Sequence, residues 1–202
     1  MGSEITPRTY NKRRRAESEA ATRQRIAEAA MTLHGSIGPA RTTISAVAEE
    51  AGVQRATVYR HFPDEAALFR ACTAHWHSLH PPPDTAAWTE IADPSERLRT
   101  GLAELYAWYG SDVQMFVNTR RDAALVPSME GPVQAGRARL AEMVEILMEG
   151  RSERGRRRHR VLGAIRHAAA FATWYSLTRE SGLRDDEAIG LMTATVAAAG
   201  RS

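Results

Sequence analysis

Residues 42–69, TTISAVAEEAGVQRATVYRHFPDEAALF, decide the fold because helix starts and tight turns alternate along this one stretch. The threonine pair that opens the stretch offers an N-cap for a short helix that stops at Gly52. A second short helix is predicted over about 55–61, and Asp64 offers the N-cap of the helix that follows. Short helices joined by such turns are typical of a helix-turn-helix unit.

Small residues are expected at the turn between the first two of these helices. Gly52 lies where the turn most naturally needs positive φ, and Ala48 is small where the two helices cross at a steep angle. An apolar seam is predicted from five side chains: Ile44, Val47, Val53, Val58 and Phe62. The opposite face of the helix over 55–61 is therefore left polar.

That polar face carries five side chains: Arg55, Thr57, Tyr59, Arg60 and His61. A helix of about seven residues is too short to be stable alone. An exposed polar surface with two arginines therefore indicates a purpose beyond helix formation, and insertion into the major groove of DNA supplies one.

Outside this stretch, apolar residues recur with helical spacing almost everywhere, and no sustained alternation of period two indicates a sheet. The predicted fold is all-α, with about nine helices. Further helices are expected over about 17–36, 64–80, 95–109, 112–125, 133–149, 161–177 and from 185 to near the C-terminus. The polar run Arg151–Arg160 is expected to be a solvated loop.

The proline run Pro81–Pro83 is the predicted boundary between a first domain over 17–83 and a second domain over 84–202. Residues 1–16, which include the basic run Lys12–Arg15, are expected to form a flexible N-terminal arm. That arm either reaches the phosphates or the minor groove of DNA, or is a solvated tail.

The chain has 202 residues and a net charge of +3, and the whole excess lies in its first part. Residues 1–83 hold 11 of the 27 Lys and Arg side chains and 8 of the 24 Asp and Glu side chains. A polyanionic partner is expected to meet that end.

Cys72 is the one cysteine, which excludes an intramolecular disulfide. No apolar run approaches the length of a membrane span, so we expect no membrane contact and a bacterial cytoplasmic location.

The stretch over 42–69 resembles the N-terminal DNA-binding domain of TetR-family transcriptional regulators. The matching positions are Thr42, Thr43, Ile44, Val47, Ala48, Ala51, Gly52, Val53, Thr57, Tyr59, His61, Phe62, Pro63, Leu68 and Phe69. The resemblance covers about 18–71, whereas the C-terminal two-thirds is similar to the family only in length and helical content. It implies a repressor that a small-molecule effector releases from a pseudo-palindromic operator in double-stranded DNA.

The resemblance places seven side chains where relatives commonly touch DNA: Thr43, Gln54, Arg55, Thr57, Tyr59, Arg60 and His61. Arg55 and Arg60 suit either guanine edges or phosphates, and Gln54 suits adenine. The methyl group of Thr57 suits a thymine methyl, and the side chains at 43, 59 and 61 suit phosphate oxygens. Glu65 stands where many relatives have lysine, so weaker phosphate attraction is expected.

The resemblance also implies a C-terminal domain for ligand binding and dimerisation. The last two helices, over about 161–180 and 185–199, are rich in small residues and are expected to form the four-helix interface of a homodimer. A small apolar or aromatic effector is expected among Tyr106, Tyr109, Met115, Phe116, Arg120, Phe171 and Trp174. The alternative is that these side chains only form the core.

Metal-binding and catalytic residue patterns are not complete in this sequence. Cys72 and the histidines at 75, 77 and 80 invite a metal site, but His77 falls off the helix face that Cys72 and His75 share. No Ser-His-Asp spacing, glycine-rich phosphate loop or paired carboxylates indicate catalysis, so no enzyme activity, metal or cofactor is expected. The alternative function is a helical interaction protein that does not read DNA.

Overall fold

The computed structural model describes residues 7–201, with side chains described from residue 12 onward. Within that range the chain forms eleven α-helices and no strand, which confirms the all-α prediction. They are α1 (Pro7–Ser36), α2 (Ile44–Glu50), α3 (Arg55–His61), α4 (Glu65–Leu79), α5 (Thr85–Thr89), α6 (Pro94–Ser111), α7 (Val113–Asp122), α8 (Glu130–Met148), α9 (Gly155–Ala168), α10 (Phe171–Tyr175) and α11 (Asp185–Arg201). None of the helices described is long and apolar enough to cross a membrane.

Two segments that were expected to be irregular are helical. α1 begins at Pro7, and ion pairs one turn apart, from Arg13 to Glu17 and from Arg15 to Glu19, support its first part. The basic run expected in a flexible arm thus lies on a helix, and residues 1–6 of that arm lie outside the described residues. The arginines after Gly155 form the first turns of α9 instead of a loop, since arginine is a good helix former.

The chain divides into two compact units. The first comprises residues up to Ser78 together with Val117–Pro132, and the second comprises Leu79–Phe116 together with the chain from Val133 onward. This division passes close to the predicted boundary at the proline run, but it differs from the predicted domains by placing residues 117–132 with the first unit.

Hydrogen bonds from α7 to the end of α1 explain that placement. Asn118 is 1% exposed and donates from Nδ2 to the backbone oxygens of His34 and Gly35, at 3.0 and 2.8 Å. Asp122 Oδ2 accepts the backbone N–H of Ala40 at 3.0 Å. These contacts satisfy backbone groups that the end of a helix leaves without intrahelical partners. α7 therefore helps to fix the point at which the chain enters α2.

The core of the second unit is aromatic and aliphatic. Its fully buried side chains include Trp88, Leu102, Leu105, Tyr106, Leu147, Ile165 and Trp174. α9 and α11 run antiparallel, and Arg160 near the start of α9 donates from Nε to the carbonyl of Ala199 near the end of α11.

The helix predicted over 161–177 is broken between α9 and α10. Tyr106 Oη donates to the carbonyl of Ala168 at 2.9 Å, and Tyr109 Oη donates to the carbonyl of Ala169 at 2.7 Å. The two hydroxyls satisfy carbonyls that a helix end leaves without intrahelical partners. Because the tyrosines lie on α6, about 60 residues earlier, helical spacing alone does not reveal the break.

Candidate nucleic-acid interface

The turn between α2 and α3 is set by backbone hydrogen bonds. The N–H of Val53 donates to the carbonyl of Ala48 at 2.9 Å, and the N–H of Gly52 donates to that of Glu49 at 3.0 Å. Gly52 has a φ of 64°, in the left-handed region that favours glycine. The turn prediction is confirmed, and it fixes the direction in which α3 leaves α2.

Side-chain caps define where these helices begin. Thr43 Oγ1 accepts the N–H of Ala46 at 3.1 Å at the start of α2, and Asp64 Oδ1 accepts the N–H of Ala67 at 2.6 Å at the start of α4. Both predicted caps are confirmed. Gln54 precedes α3 and makes no capping bond with its exposed side chain, as expected of a weak capping residue.

α3 has one buried and one exposed face. Val58 is fully buried, and Phe62, the first residue after the helix, is 2% exposed. On the opposite face Arg55 and Arg60 are exposed, and Tyr59 is 49% exposed. The helix is therefore anchored through its apolar side and presents an aromatic ring and two guanidinium groups to its surroundings.

The arginines of α3 keep their positive charge unopposed at close range. Among the ion pairs formed by the described residues, none involves Arg55 or Arg60. By contrast, Arg121 lies 2.6 Å from the carboxylate of Asp122. An exposed helix face with unpaired guanidinium groups has the donors that guanine edges and phosphates accept.

Arg23 of α1 holds the end of α3 in place. Its guanidinium carbon lies 4.1 Å from the centroid of the Phe62 ring, and its Nη1 donates to the backbone carbonyl of His61. Sequence reasoning missed Arg23, because one arginine among several on a long helix carries no sign that it reaches a residue 38 positions later.

The seven predicted DNA-contact residues differ in accessibility. Five are exposed: Thr43, Gln54, Arg55, Tyr59 and Arg60. Thr57 and His61 are partly buried, and Nε2 of His61 is buried without a hydrogen-bond partner among the described residues. His61 is therefore poorly placed to offer this nitrogen to a phosphate, and its backbone carbonyl serves to hold Arg23.

Most of the predicted effector residues come together in the second unit. The rings of Phe116 and Phe171 are stacked with centroids 5.2 Å apart, and Tyr109 meets both edge-on at 5.2 and 5.4 Å. Tyr106 and Trp174 are fully buried beside them, and Met115 is 9% exposed. The remaining candidate, at position 120, is an exposed arginine that belongs to the first unit.

Cys72 and the nearby histidines have separate partners. Cys72 Sγ lies 3.5 Å from Nδ1 of His34, whose ring stacks on Phe69 with centroids 4.6 Å apart. Burial raises the pKa of Cys72 to about 12 and lowers that of His34 to about 4. His75 Nδ1 instead faces Gln24 Nε2 at 2.9 Å. Among the described residues no three metal-binding side chains lie together.

Comparison with known proteins agrees with this geometry. Residues 26–72 match the family model described as bacterial regulatory proteins, tetR family. The chain is 34% identical over 110 residues to the HTH-type transcriptional regulator TtgR of Pseudomonas putida, covering 54% of this chain and 50% of that protein. It is 41% identical over 68 residues to the probable HTH-type transcriptional regulator ArpR of Pseudomonas putida, covering 34% and 32% of the two chains. The aligned part thus spans half or less of each relative.

The fold has a counterpart among solved structures. A TetR transcription regulator from Haloarcula marismortui ATCC 43049 superposes with a TM-score of 0.57 over 90% of this chain and 97% of that chain, at 16% identity. The capped helices, the glycine turn and the anchored α3 define a helix-turn-helix protein. The match over 26–72 makes this segment similar to the N-terminal domain of the tetR family of bacterial regulatory proteins.

Proposed function

We propose that the protein is a sequence-specific transcriptional repressor that binds a pseudo-palindromic operator as a homodimer. A small apolar or aromatic effector releases it, and the aromatic cluster of the second unit, with Phe116 and Phe171 at its centre, supports such a response. We propose that it binds DNA of the bacterial nucleoid in the cytoplasm and that it is not an enzyme. The observation that carries it is the exposed face of α3, where Arg55 and Arg60 have no ion-pair partner among the described residues.

Roles on DNA follow from side-chain chemistry. Arg55 and Arg60 donate bidentately to guanine or hold phosphates, and Gln54 reads adenine. Thr43 and Tyr59 donate to phosphate oxygens, and the methyl group of Thr57 meets a thymine methyl. Two-fold symmetry places the half-sites one DNA turn apart, roughly 34 to 36 Å centre to centre or slightly more.

The test is a fluorescence-anisotropy titration against DNA from upstream of the protein's own gene and against a shuffled duplex, at about 0.15 M salt. A preference of about a thousandfold for the native duplex is expected. A duplex selected from a random pool replaces the upstream DNA if the operator lies elsewhere.

Replacing one α3 arginine tests the surface itself. Arg60→Ala is expected to weaken operator binding by about 1–3 kcal/mol, whereas Arg99→Ala, at an exposed position of α6, leaves binding unchanged. Equal weak binding to every duplex, with no effect of Arg60→Ala, would contradict the proposal and support a helical interaction protein.

The proposed dimer interface is the outward face of α9 and α11. On α11, Leu191 is 46% exposed and Ala194 and Thr195 are exposed beside it, while Ile189 and Met192 pack inward. An exposed leucine between small residues suits the close approach of another helix. A second copy of the chain presents the same surface, as a two-fold interface requires.

Charge favours one direction for the two-fold axis. α9 begins with Arg156–Arg158, whereas α11, which runs antiparallel to it, begins with Asp185–Glu187, where Arg184 offsets part of the negative charge. An axis perpendicular to the helices brings the arginine end of one copy to the acidic end of the other. An axis along the helices brings like charges together, which costs free energy.

The dimer is tested by analytical ultracentrifugation. Ala194→Arg places a long cation on the proposed interface and is expected to give a monomer. Ala124→Arg, at an exposed position of the first unit, is the matched control and remains dimeric. A dimer that persists in Ala194→Arg would contradict this interface.

A further inference from the structure

An open groove of about 330 Å³ lies in the second unit, outside the aromatic cluster. One wall is the end of α4 and the loop after it, with Leu79, His80, Pro81 and Pro83. The other wall is one face of α6, formed by Glu104, Ala107, Trp108 and Ser111. A volume of this size holds a small organic molecule.

Most of the groove wall is apolar and exposed to solvent. Leu79 is 55% exposed, and Pro81 and Ala107 of the lining are also exposed. Covering such a surface removes apolar area from water at roughly 25 cal/mol per Å². The groove therefore favours a ligand with an apolar body.

The charge of the groove is negative. Glu104 supplies the carboxylate of the lining, and its Oε2 accepts a hydrogen bond from Trp88 Nε1 at 2.8 Å, which holds it at the wall. Among the described residues that line the groove there is no lysine or arginine. This balance favours a cationic ligand over an anionic one.

The other polar groups of the lining are already positioned. Trp108 Nε1 donates to the carbonyl of His80 at 3.0 Å, and its ring meets Phe116 edge-on with centroids 5.0 Å apart. His80 Nδ1 lies 3.1 Å from Ser111 Oγ. A fixed tryptophan ring is the best aromatic partner for a cation, and prior ordering lowers the entropy cost of binding.

We propose that this groove binds a small hydrophobic organic cation, with its apolar body against Leu79, the prolines and Trp108 and its charged nitrogen towards Glu104. The groove shares no lining residue with the aromatic cluster, although Trp108 of its wall contacts Phe116. Binding in the groove does not depend on the proposed function. Only an effect of the bound cation on DNA binding rests on it, since Leu79 is the last residue of α4, the helix that follows the DNA-reading segment.

The test uses the full-length chain and two fluorescent probes of similar ring system, rhodamine 6G as the cation and fluorescein as the anion. Anisotropy titrations without DNA measure both dissociation constants, and thermal melts confirm that each variant is folded. Rhodamine 6G is expected to bind at least about tenfold more tightly than fluorescein. Equal affinity for the two probes would overturn the proposal.

Two variants with matched controls locate the site. Glu104→Gln keeps an acceptor for Trp88 and is expected to weaken rhodamine 6G binding about tenfold, whereas Glu142→Gln on the exposed face of α8 has no effect. Ala107→Trp fills the groove and is expected to abolish binding, whereas Ala103→Trp, an exposed position one turn earlier, does not.

Binding that survives Ala107→Trp but is lost in Phe116→Leu would place the probe in the aromatic cluster and overturn the proposal. Because the probe titration contains no DNA and the operator titration contains no probe, failure of the groove proposal and failure of the proposed repressor function are distinguishable.

Discussion

Tyr59 of the first unit differs in its exposure from the polar aromatic side chains at the centre of the second unit. In the first unit Tyr59 is 49% exposed on a short helix that Val58 and Phe62 anchor from behind. In the second unit Tyr106 and Trp174 are fully buried, and their polar atoms donate to the carbonyl of Ala168 and the carboxylate of Asp185. One unit offers hydrogen-bonding groups to a partner, and the other satisfies them internally.

Because of this difference, substitutions in the two units should change different quantities: operator affinity in the first unit and the free energy of unfolding in the second. Substituting an exposed residue of α3 removes no contact within the chain's core and, in the proposed complex, removes contacts with DNA, so the free energy of unfolding should change by less than about 0.5 kcal/mol. Substituting a buried polar residue of the second unit leaves a partner unsatisfied, so stability should fall first. A substitution of a buried polar residue of the second unit that altered operator affinity without altering stability would break this comparison.

The largest loss of stability is expected from Arg97→Met. Arg97 is 5% exposed, and its guanidinium donates to the carbonyls of Trp88, Ile91, Ile146 and Glu149 at 2.6 to 3.3 Å. These carbonyls lie near the C-terminal ends of α5 and α8, where a positive charge is favourable. Methionine keeps the apolar volume but none of the donors, so the free energy of unfolding should fall by about 3–5 kcal/mol.

Urea denaturation followed by circular dichroism measures that loss. Arg99→Met, on the exposed side of the same helix, is the matched control and should stay within about 0.5 kcal/mol of the parent. A loss below about 1 kcal/mol in Arg97→Met would show that water replaces the guanidinium, and would contradict its role as a cap for two helix ends.

Acid is expected to destabilise the first unit through His34. Burial lowers its pKa from about 6.5 to about 4, and the charge of Asp122 opposes that shift only in part. Between these values the unfolded chain binds a proton that the folded chain does not, so stability is complete above about pH 6.5 and falls as the pH drops towards 4. The total loss should be about 3 kcal/mol, at no more than about 1.4 kcal/mol per pH unit.

Urea denaturation at pH 7.5, 6 and 4.5 checks this slope. His34→Gln removes the titrating group and should flatten the pH dependence, while His159→Gln, at an exposed position of α9, should retain it. An unchanged slope in His34→Gln would assign the acid sensitivity to other groups, such as the carboxyl of Asp122, whose pKa is lowered by its hydrogen bond from Arg121.

Local chemistry predicted the first unit well, because each of its signals lies within a few residues of its effect. The threonine cap at Thr43, the turn at Gly52 and the aspartate cap at Asp64 all act over at most five positions. The exposed face of α3 followed from the same spacing. The contact from Arg23 to the end of α3 did not, because it joins residues 38 positions apart.

The second unit was predicted only in outline. Helical spacing predicted its long helices, but α5 and α10 are five residues each and too short to show a period. The break after Ala168 depends on hydroxyl groups of α6. The groove was equally hidden, since Glu104 is one of many glutamates on helix surfaces until the fold sets it opposite the proline loop.

The smallest predicted effect compares the same substitution in both units. Gly52→Ala should cost about 1 kcal/mol, because φ is 64° while no heavy atom lies within 4 Å of the added Cβ. Gly136→Ala, within α8, also has no atom within 4 Å and a helical backbone, so it should stabilise the chain by about 0.5–1 kcal/mol. Urea denaturation of both variants measures the two signs. If Gly52→Ala were neutral, the turn before α3 would tolerate another conformation, and the direction in which α3 leaves α2 would depend on Arg23 and Phe62 more than on the glycine.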